Sequence, residues 1–209
     1  MVNIYLIRNG ETILNKEHKI AGQIETELTE TGKNQAIQTA LNLKKQGVSF
    51  DIILCSTLKR AKDTAKIISE HIKTSLMEID DLKEINSGDF EGIALDKLHE
   101  ICFNPPYKSG GFVFYNGQQL REMYNLMLPE YDDIAQPNGE TKAQARERFM
   151  NAIKQFLDAH PQVQNLGVVA HGAVIRFTLL KICPETVKEK IKNAEFRIIK
   201  YEKEKGFFI

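Results

Sequence analysis

The sequence has no excess of charge of either sign. Over 209 residues, 28 lysines and arginines balance 28 aspartates and glutamates. A neutral balance gives no general pull towards nucleic acid or an anionic membrane. Any anion site must therefore come from local placement of arginine and lysine. Cysteine is scarce: Cys55, Cys102 and Cys183 lie far apart and form no C-x-x-C pair. Neither zinc nor a disulfide framework is indicated, and a reducing cytoplasm is the expected location. There is no basic head followed by an apolar stretch at the N-terminus, and no run as long as a membrane span. Neither a leader nor membrane association is expected. Internal repeats and low-complexity tracts are also absent.

What is present is ordinary for a globular protein: 42% hydrophobic and 27% charged residues. The length suits one domain, residues 1–209, with a real core. An apolar run, Ile4 to Ile7, ends abruptly in Arg8-Asn9-Gly10-Glu11-Thr12. This pattern is that of a buried strand delivering a polar loop to a site. The competing reading is a hairpin, for which Asn-Gly is a strong signal. It weakens because Glu11 to Asn15 does not resume clean alternation.

Thr29 is placed to cap a helix whose apolar stripe is Ala36, Ile37, Ala40, Leu41 and Leu43, with Gly47 at its stop. Ile52 to Cys55 reads as a second buried strand. Ser56 or Thr57 would cap the next helix, striped by Leu58, Ala61, Ala65, Ile68 and Ile72 at helical spacing. Leu76 to Ile79 reads as a third strand, and Leu95 to Ile101 as a short helix. Residues 103–137 shift in composition, with Pro105-Pro106, Gly110-Gly111, many aromatics and a helical piece near Leu120 to Leu128. They suggest a lid-like excursion too short to bury its own core. Its aromatics and Arg121 either contact the rest of a substrate or, for Phe112, Phe114 and Tyr124, pack on the sheet.

Thr141-Lys142-Ala143-Gln144 is a capping box that opens a helix with Ala145, Phe149, Ile153 and Phe156 or Leu157 on one face. Leu166 to Ala170 reads as a strand ending in His171-Gly172, followed by a helix to about Ile182. Phe196 to Tyr201 is a last strand, with Phe207 to Ile209 pairing back across a turn. Alternating strands and helices imply an α/β three-layer sandwich with a mostly parallel central sheet flanked by helices.

Three strands each end in a polar residue: Arg8-Asn9, Ser56 with Arg60 one turn later, and His171. Ligands of open parallel sheets bind beyond the carboxyl ends of the strands. If these strands are neighbours, two guanidinium groups and an imidazole converge on a phosphate-sized site. Taken singly, Arg60 reads as a solvated helix residue and His171 as a structural histidine. Their shared position at strand ends is what shifts the reading.

The chain resembles the histidine phosphatase superfamily, the phosphoglycerate mutase-like proteins. Arg8, Gly10, Glu11, Thr12 and Asn15 match the family's Arg-His-Gly-Glu-Thr signature and the asparagine after it. Leu28-Thr29, Gly32 and Gln35-Ala36 resemble its early helix. Cys55 to Ala65 is similar to its Ser-x-x-x-Arg-Ala-x-x-Thr-Ala block. Leu82-Lys83-Glu84 with Gly88 to Gly92 is similar to its acidic segment. Pro137 to Thr141 resembles its Gly-Glu-Ser/Thr helix start, and Val168 to Gly172 the block bearing its second histidine.

The resemblance implies that Arg8, Arg60 and His171 bind phosphoryl oxygens. Asn15, the backbone of Ala21, Gly22 and Gln23, and Gly172 complete the pocket. It implies that Glu84 protonates the leaving oxygen and then activates water; read alone, Glu84 is a surface carboxylate. No metal and no cofactor is implied, because arginines neutralise the developing charge. The implied ligand is a small phosphorylated metabolite. The sequence carries no signal for oligomeric state.

One position departs from the pattern. The family's phosphorylated histidine is Asn9 here. An amide nitrogen has its lone pair delocalised into the carbonyl and cannot attack phosphorus. The expectation is a cofactor-independent phosphomonoesterase without turnover. The alternatives are a natural non-catalytic module that binds a phosphorylated ligand and, ranked lower, a mutase. Asn9 fits either a substitution made to trap substrate or a natural loss of the nucleophile.

Overall fold

The computed structural model describes residues 1–97, 132–133, 135–184 and 191–209. A six-stranded mixed sheet forms its middle layer, in the order β3-β2-β4-β1-β5-β6. The strands are β1 Val2–Arg8, β2 Ile52–Ser56, β3 Leu76–Ile79, β4 Asn165–Ala170, β5 Phe196–Glu202 and β6 Gly206–Phe208. β1 with β4, β2 with β4 and β2 with β3 are parallel; β5 runs antiparallel to β1 and to β6. The expected closing strand pairs through Phe207 and Phe208, after a turn whose Gly206 has φ +76. The helices are α1 Ile13–Lys16, α2 Glu30–Lys45, α3 Lys59–Ile72, α4 Lys142–Ala159 and α5 Gly172–Ile182.

Side-chain alternation along the strands makes the layers. Ile4 and Leu6, Leu54, Leu166, Val168 and Ala170 face one way and pack on α4 and α5 through Phe149, Ile153, Val174 and Ile175. Ile7, Ile53, Cys55 and Val169 face the other way and pack on α2 and α3 through Ala40, Leu43, Ala61, Ala65 and Ile68. The β2-β4-β1 core is buried on both faces, which is why it reads as short continuous apolar runs.

The capping box at Thr141 forms as expected: Thr141 Oγ1 accepts from Gln144 N, and Gln144 Oε1 accepts from Thr141 N. Thr29 caps α2 by accepting from Gly32 N at 3.0 Å. Other local expectations change. The Asn9-Gly10 hairpin does not exist, because β1 pairs with β4 and β5 instead of its successor. After Gly10 the chain forms α1, which sequence reading had not anticipated. Thr12 and Asn15 make its capping box.

Neither Ser56 nor Thr57 occupies the N-cap of α3; Leu58 does, without a side-chain cap. Glu25 Oε2 accepts from Lys59 N instead, at 2.9 Å. In the α2 stripe Leu41 is 47% exposed. Thr39 takes the inward place and donates its hydroxyl to Ala194 O at 2.6 Å. The expected helix at Leu95 to Ile101 lies largely outside the described residues. So do the helical piece near Leu120 to Leu128, Arg121 and most of the 103–137 excursion.

The loop after β1 lies directly on the first turn of α2. A Cβ on Gly10 would meet Gly32 O at 2.3 Å, and one on Gly32 would meet Glu11 O at 2.1 Å. Two backbones touch there, so neither position has room for a methyl group. Gly32→Ala should lower stability by about 1–3 kcal/mol through this overpacking. Phe149→Ala, which empties the centre of the α4 face, should cost about 3–5 kcal/mol. Urea unfolding measures both.

Candidate active site

Register brings the three polar strand ends level. Val169 of β4 pairs with Ile7 of β1 on one side and with Cys55 of β2 on the other. The next residues, Arg8, Ala170 and Ser56, therefore leave the sheet side by side. His171 emerges between Arg8-Asn9 and Ser56, and Arg60 reaches it from the first turn of α3.

The Glu84 carboxylate raises the pKa of both arginines, and Arg8 adds a small lowering to that of Arg60. For each arginine burial is the largest influence and lowers the pKa; for Arg8, Glu84 and Glu195 oppose it. Arg60 is 2% exposed. It donates from Nε to His171 Nδ1 at 3.2 Å, from Nη1 to Ile24 O at 2.8 Å and from Nη2 to Gly22 O at 2.6 Å. Arg8 donates from Nη1 to Ile191 O at 2.6 Å, while its buried Nε has no partner. Gly172 makes room for it, since a Cβ there would sit 2.9 Å from Arg8 Nε.

His171 is 1% exposed. Burial first, then Arg60, Arg148 and Arg8, hold its pKa well below 6.5. Arg60 Nε can only donate, so Nδ1 accepts and the ring proton lies on Nε2. Nε2 donates to Ser56 Oγ at 2.8 Å. Asn9 Oδ1 stands 3.1 Å from the same Nδ1. While Nδ1 accepts from Arg60, the two face each other as acceptors. Asn9 is oriented by its other end, where Nδ2 donates to Gly10 O at 2.8 Å.

Glu84 closes the opposite side. Its Oε1 accepts from Ile85 N at 3.0 Å and Val174 N at 2.9 Å, and its Oε2 from Ala173 N at 3.0 Å. The carboxylate thus caps α5, whose N-cap residue His171 gives no side-chain cap. An oxygen has two lone pairs, so Oε1 is full and Oε2 keeps one free.

The remaining residues singled out in sequence support this centre. Gln23 donates from Nε2 to Glu84 O at 2.9 Å, and its backbone N–H goes to Glu91 Oε1 at 2.7 Å. Ala21 O accepts from Ile24 N and closes that turn. Asn15 Oδ1 accepts from Thr12 N and from Asn193 Nδ2.

Sequence reading missed several supporting residues. Thr64 Oγ1 accepts from Gly10 N at 3.1 Å and donates to Arg60 O at 2.7 Å, tying the loop to α3. Thr64 falls in the Ser-x-x-x-Arg block, so a signal was there. Asn193 and Arg148 lie far from any matched block and had none. Among the described residues, no group of three or more His, Cys, Asp or Glu is arranged to hold a metal ion. None of the described helices is long and apolar enough to cross a membrane.

Fold and site together define an α/β protein with a cationic cup at the carboxyl edge of its parallel strands. Residues 4–208 match the sequence model of the histidine phosphatase superfamily, branch 1. The chain is 32% identical over 208 residues to a Bacillus subtilis (strain 168) protein named uncharacterized phosphatase PhoE, covering 98% of this chain and 91% of that one. It is 31% identical to an Arabidopsis thaliana metal-independent phosphoserine phosphatase, covering 95% and 76%. In fold it resembles a mycobacterial glucosyl-3-phosphoglycerate phosphatase solved with VO3, at TM-score 0.80 and 21% identity over 100% of this chain and 96% of that one. The chain belongs to the histidine phosphatase superfamily.

The depressed pKa of His171 carries a pH signature. The unfolded imidazole, with its ordinary value of 6.5, binds a proton that the folded one refuses. The stabilising contribution is complete above 6.5 and is lost as pH falls from there towards the folded value. Between about pH 7.5 and 5.5 the loss should be about 1 kcal/mol. Urea midpoints at the two pH values test it; an equal drop in His171→Gln would assign the loss elsewhere.

Proposed function

We propose that this chain binds the phosphoryl group of a small phosphomonoester between Arg8, Arg60 and His171, and does not turn it over. The observation that carries the reading is the setting of Asn9. Its Nδ2–Gly10 O bond is the one an imidazole at this position would make through Nδ1–H. The ring would then extend Nε2 further into the cup, and Asn9 ends where that half of the ring would begin. The side chain keeps the anchoring half of a histidine and lacks the attacking atom.

Among the described residues, no neighbour substitutes for it. Both nitrogens of His171 are engaged, by Arg60 and by Ser56. Cys55 is buried on the α3 face, and burial pushes its thiol up to about 12. Binding is a separate matter, because the arginines and the neutral imidazole are all in place. The names of two relatives, a phosphatase and a phosphoserine phosphatase, support a phosphomonoester as the ligand class. The wide spacing of Cys55, Cys102 and Cys183 along the sequence, with no C-x-x-C pair, supports a reducing cytoplasm as the location.

With a histidine at position 9 the chemistry would run in two steps. Nε2 attacks phosphorus while Glu84 Oε2 gives its proton to the departing oxygen. Water then attacks the phosphohistidine as Glu84 takes the proton back. Loss of the nucleophile in a covalent enzyme costs on the order of a million-fold.

Asn9→His should therefore hydrolyse p-nitrophenyl phosphate, while the parent stays at background. The parent should bind inorganic phosphate in calorimetry, and Arg60→Met should weaken it. No gain of hydrolysis in Asn9→His would end the reading.

A further inference from the structure

Arg148, on the second turn of α4, makes five hydrogen bonds, and none of them reaches the phosphoryl cup directly. It donates from Nε and Nη2 to the two oxygens of Glu140, at 2.7 and 2.9 Å. Its Nη1 reaches Asp81 O and Lys83 O at 2.7 and 2.8 Å, and its Nη2 reaches Glu84 O at 2.8 Å. Glu140 Oε2 in turn accepts from Asn86 N at 2.8 Å, and Glu140 N donates to Asn86 O at 2.8 Å. One bidentate pair thus grips two carbonyls before the Glu84 side chain branches off, the carbonyl of Glu84 itself, and the backbone two residues after it.

This grip is more than a surface ion pair needs. Glu140 and Arg148 are only about one-fifth exposed, and Arg148 holds down the pKa of the Glu140 carboxyl against burial, which raises it. The 80s loop is irregular: Asp80–Leu82 and Gly88–Phe90 are single 3-10 turns. No ladder fixes Glu84, so its backbone depends on side-chain bonds. Gln23 supplies one of these, to Glu84 O; Arg148 supplies another there and one each to Asp81 O and Lys83 O. Lysine has the same charge but cannot span these carbonyls and both Glu140 oxygens with one planar fork.

We infer that Arg148, held by Glu140, is a positioning residue that sets the Glu84 carboxyl on the N-terminus of α5 so that Oε2 faces the leaving oxygen. The inference rests on the functional reading above, in which Glu84 is the proton donor. It adds that the donor is aimed from behind by α4. A misplacement of about 1 Å costs up to 100-fold in a proton-transfer step.

The experiment has two arms. In the first, Arg148→Lys is made in the parent chain, and amide exchange is followed at Ala173 and Val174, whose N–H groups Glu84 holds. Exchange there should accelerate by about tenfold or more, while amides in the centre of β4 keep their protection. Unchanged exchange at both would overturn the inference.

In the second, Asn9→His is compared with Asn9→His/Arg148→Lys on two substrates. p-Nitrophenolate leaves without a proton, so its release in the first-turnover burst, before water attacks the phosphohistidine, should hold within about threefold. The alkoxide of β-glycerophosphate needs the proton, so its kcat should fall by about 10- to 100-fold with KM unchanged. An equal fall on both substrates would show a merely structural role and would overturn the inference. Were Asn9→His itself inactive, the functional reading would fall, and the exchange arm would still decide whether Arg148 holds Glu84.

Discussion

Two arginine side chains, Arg60 buried and Arg8 half-buried, lie at one end of an apolar sheet, and the loops around them are shaped by their withdrawal from water. A guanidinium group removed from water must recover its hydrogen bonds or lose several kcal/mol. Arg60 recovers them from Gly22 O, Ile24 O and His171. Arg8 recovers one from Ile191 O and keeps a buried Nε unmatched. The segments at 21–24 and 191–194 bend to bring carbonyls to cations. They leave an electropositive cup whose remaining donors match an anion with several oxygens.

The same electrostatic demand explains Glu84 and Glu25. Helix N-termini point unsatisfied N–H groups at the carboxyl edge of the sheet. In α3 and α5 no side chain at the N-cap meets them. Carboxylates from other loops do so instead: Glu25 reaches Lys59 N, and Glu84 reaches Ala173 N and Val174 N. Glu84 is therefore a stabilising cap and, in the function proposed above, also the cup's acid; it is held by helix N–H groups on one side and, through its carbonyl, by Arg148 of α4 on the other. A residue with both duties ties the site to the packing of α4 against α5.

In the function proposed above, position 9 is where binding and chemistry separate. Asn9 satisfies Gly10 O and fills the floor of the cup, so nothing in the local structure collapses around it. It also places an acceptor oxygen against the acceptor nitrogen of His171, a mismatch that an aromatic C–H at the same place would not create. In the function proposed above, Asn9 stands in an imidazole's place, smaller than the ring and with an oxygen on the edge that faces His171.

Much of the fold was legible because its signals are local. Thr29 and the Thr141 to Gln144 box cap the helices they were expected to cap. The apolar runs at Ile4, Ile52 and Leu166 are strands, because only strands buried on both faces are continuously apolar. Arg8, Arg60, Glu84 and His171 were found through ordered motifs, not from any property of each residue alone. Less legible were features in which a distant partner outbids a local preference. Ser56 turns to His171 instead of capping α3, and Asn9-Gly10 continues into α1 instead of turning back.

The sequence by itself determined the sheet strands, the four long helices with most of their apolar faces, and the absence of an imidazole at position 9, since periodicity, capping and side-chain chemistry are properties of neighbouring residues. Only the tertiary structure decided that β4 lies between β1 and β2, that Glu84 sits on α5, and that Arg148 grips its loop. Those depend on strand order and on hydrogen bonds between residues 60 or more positions apart, which no local pattern encodes.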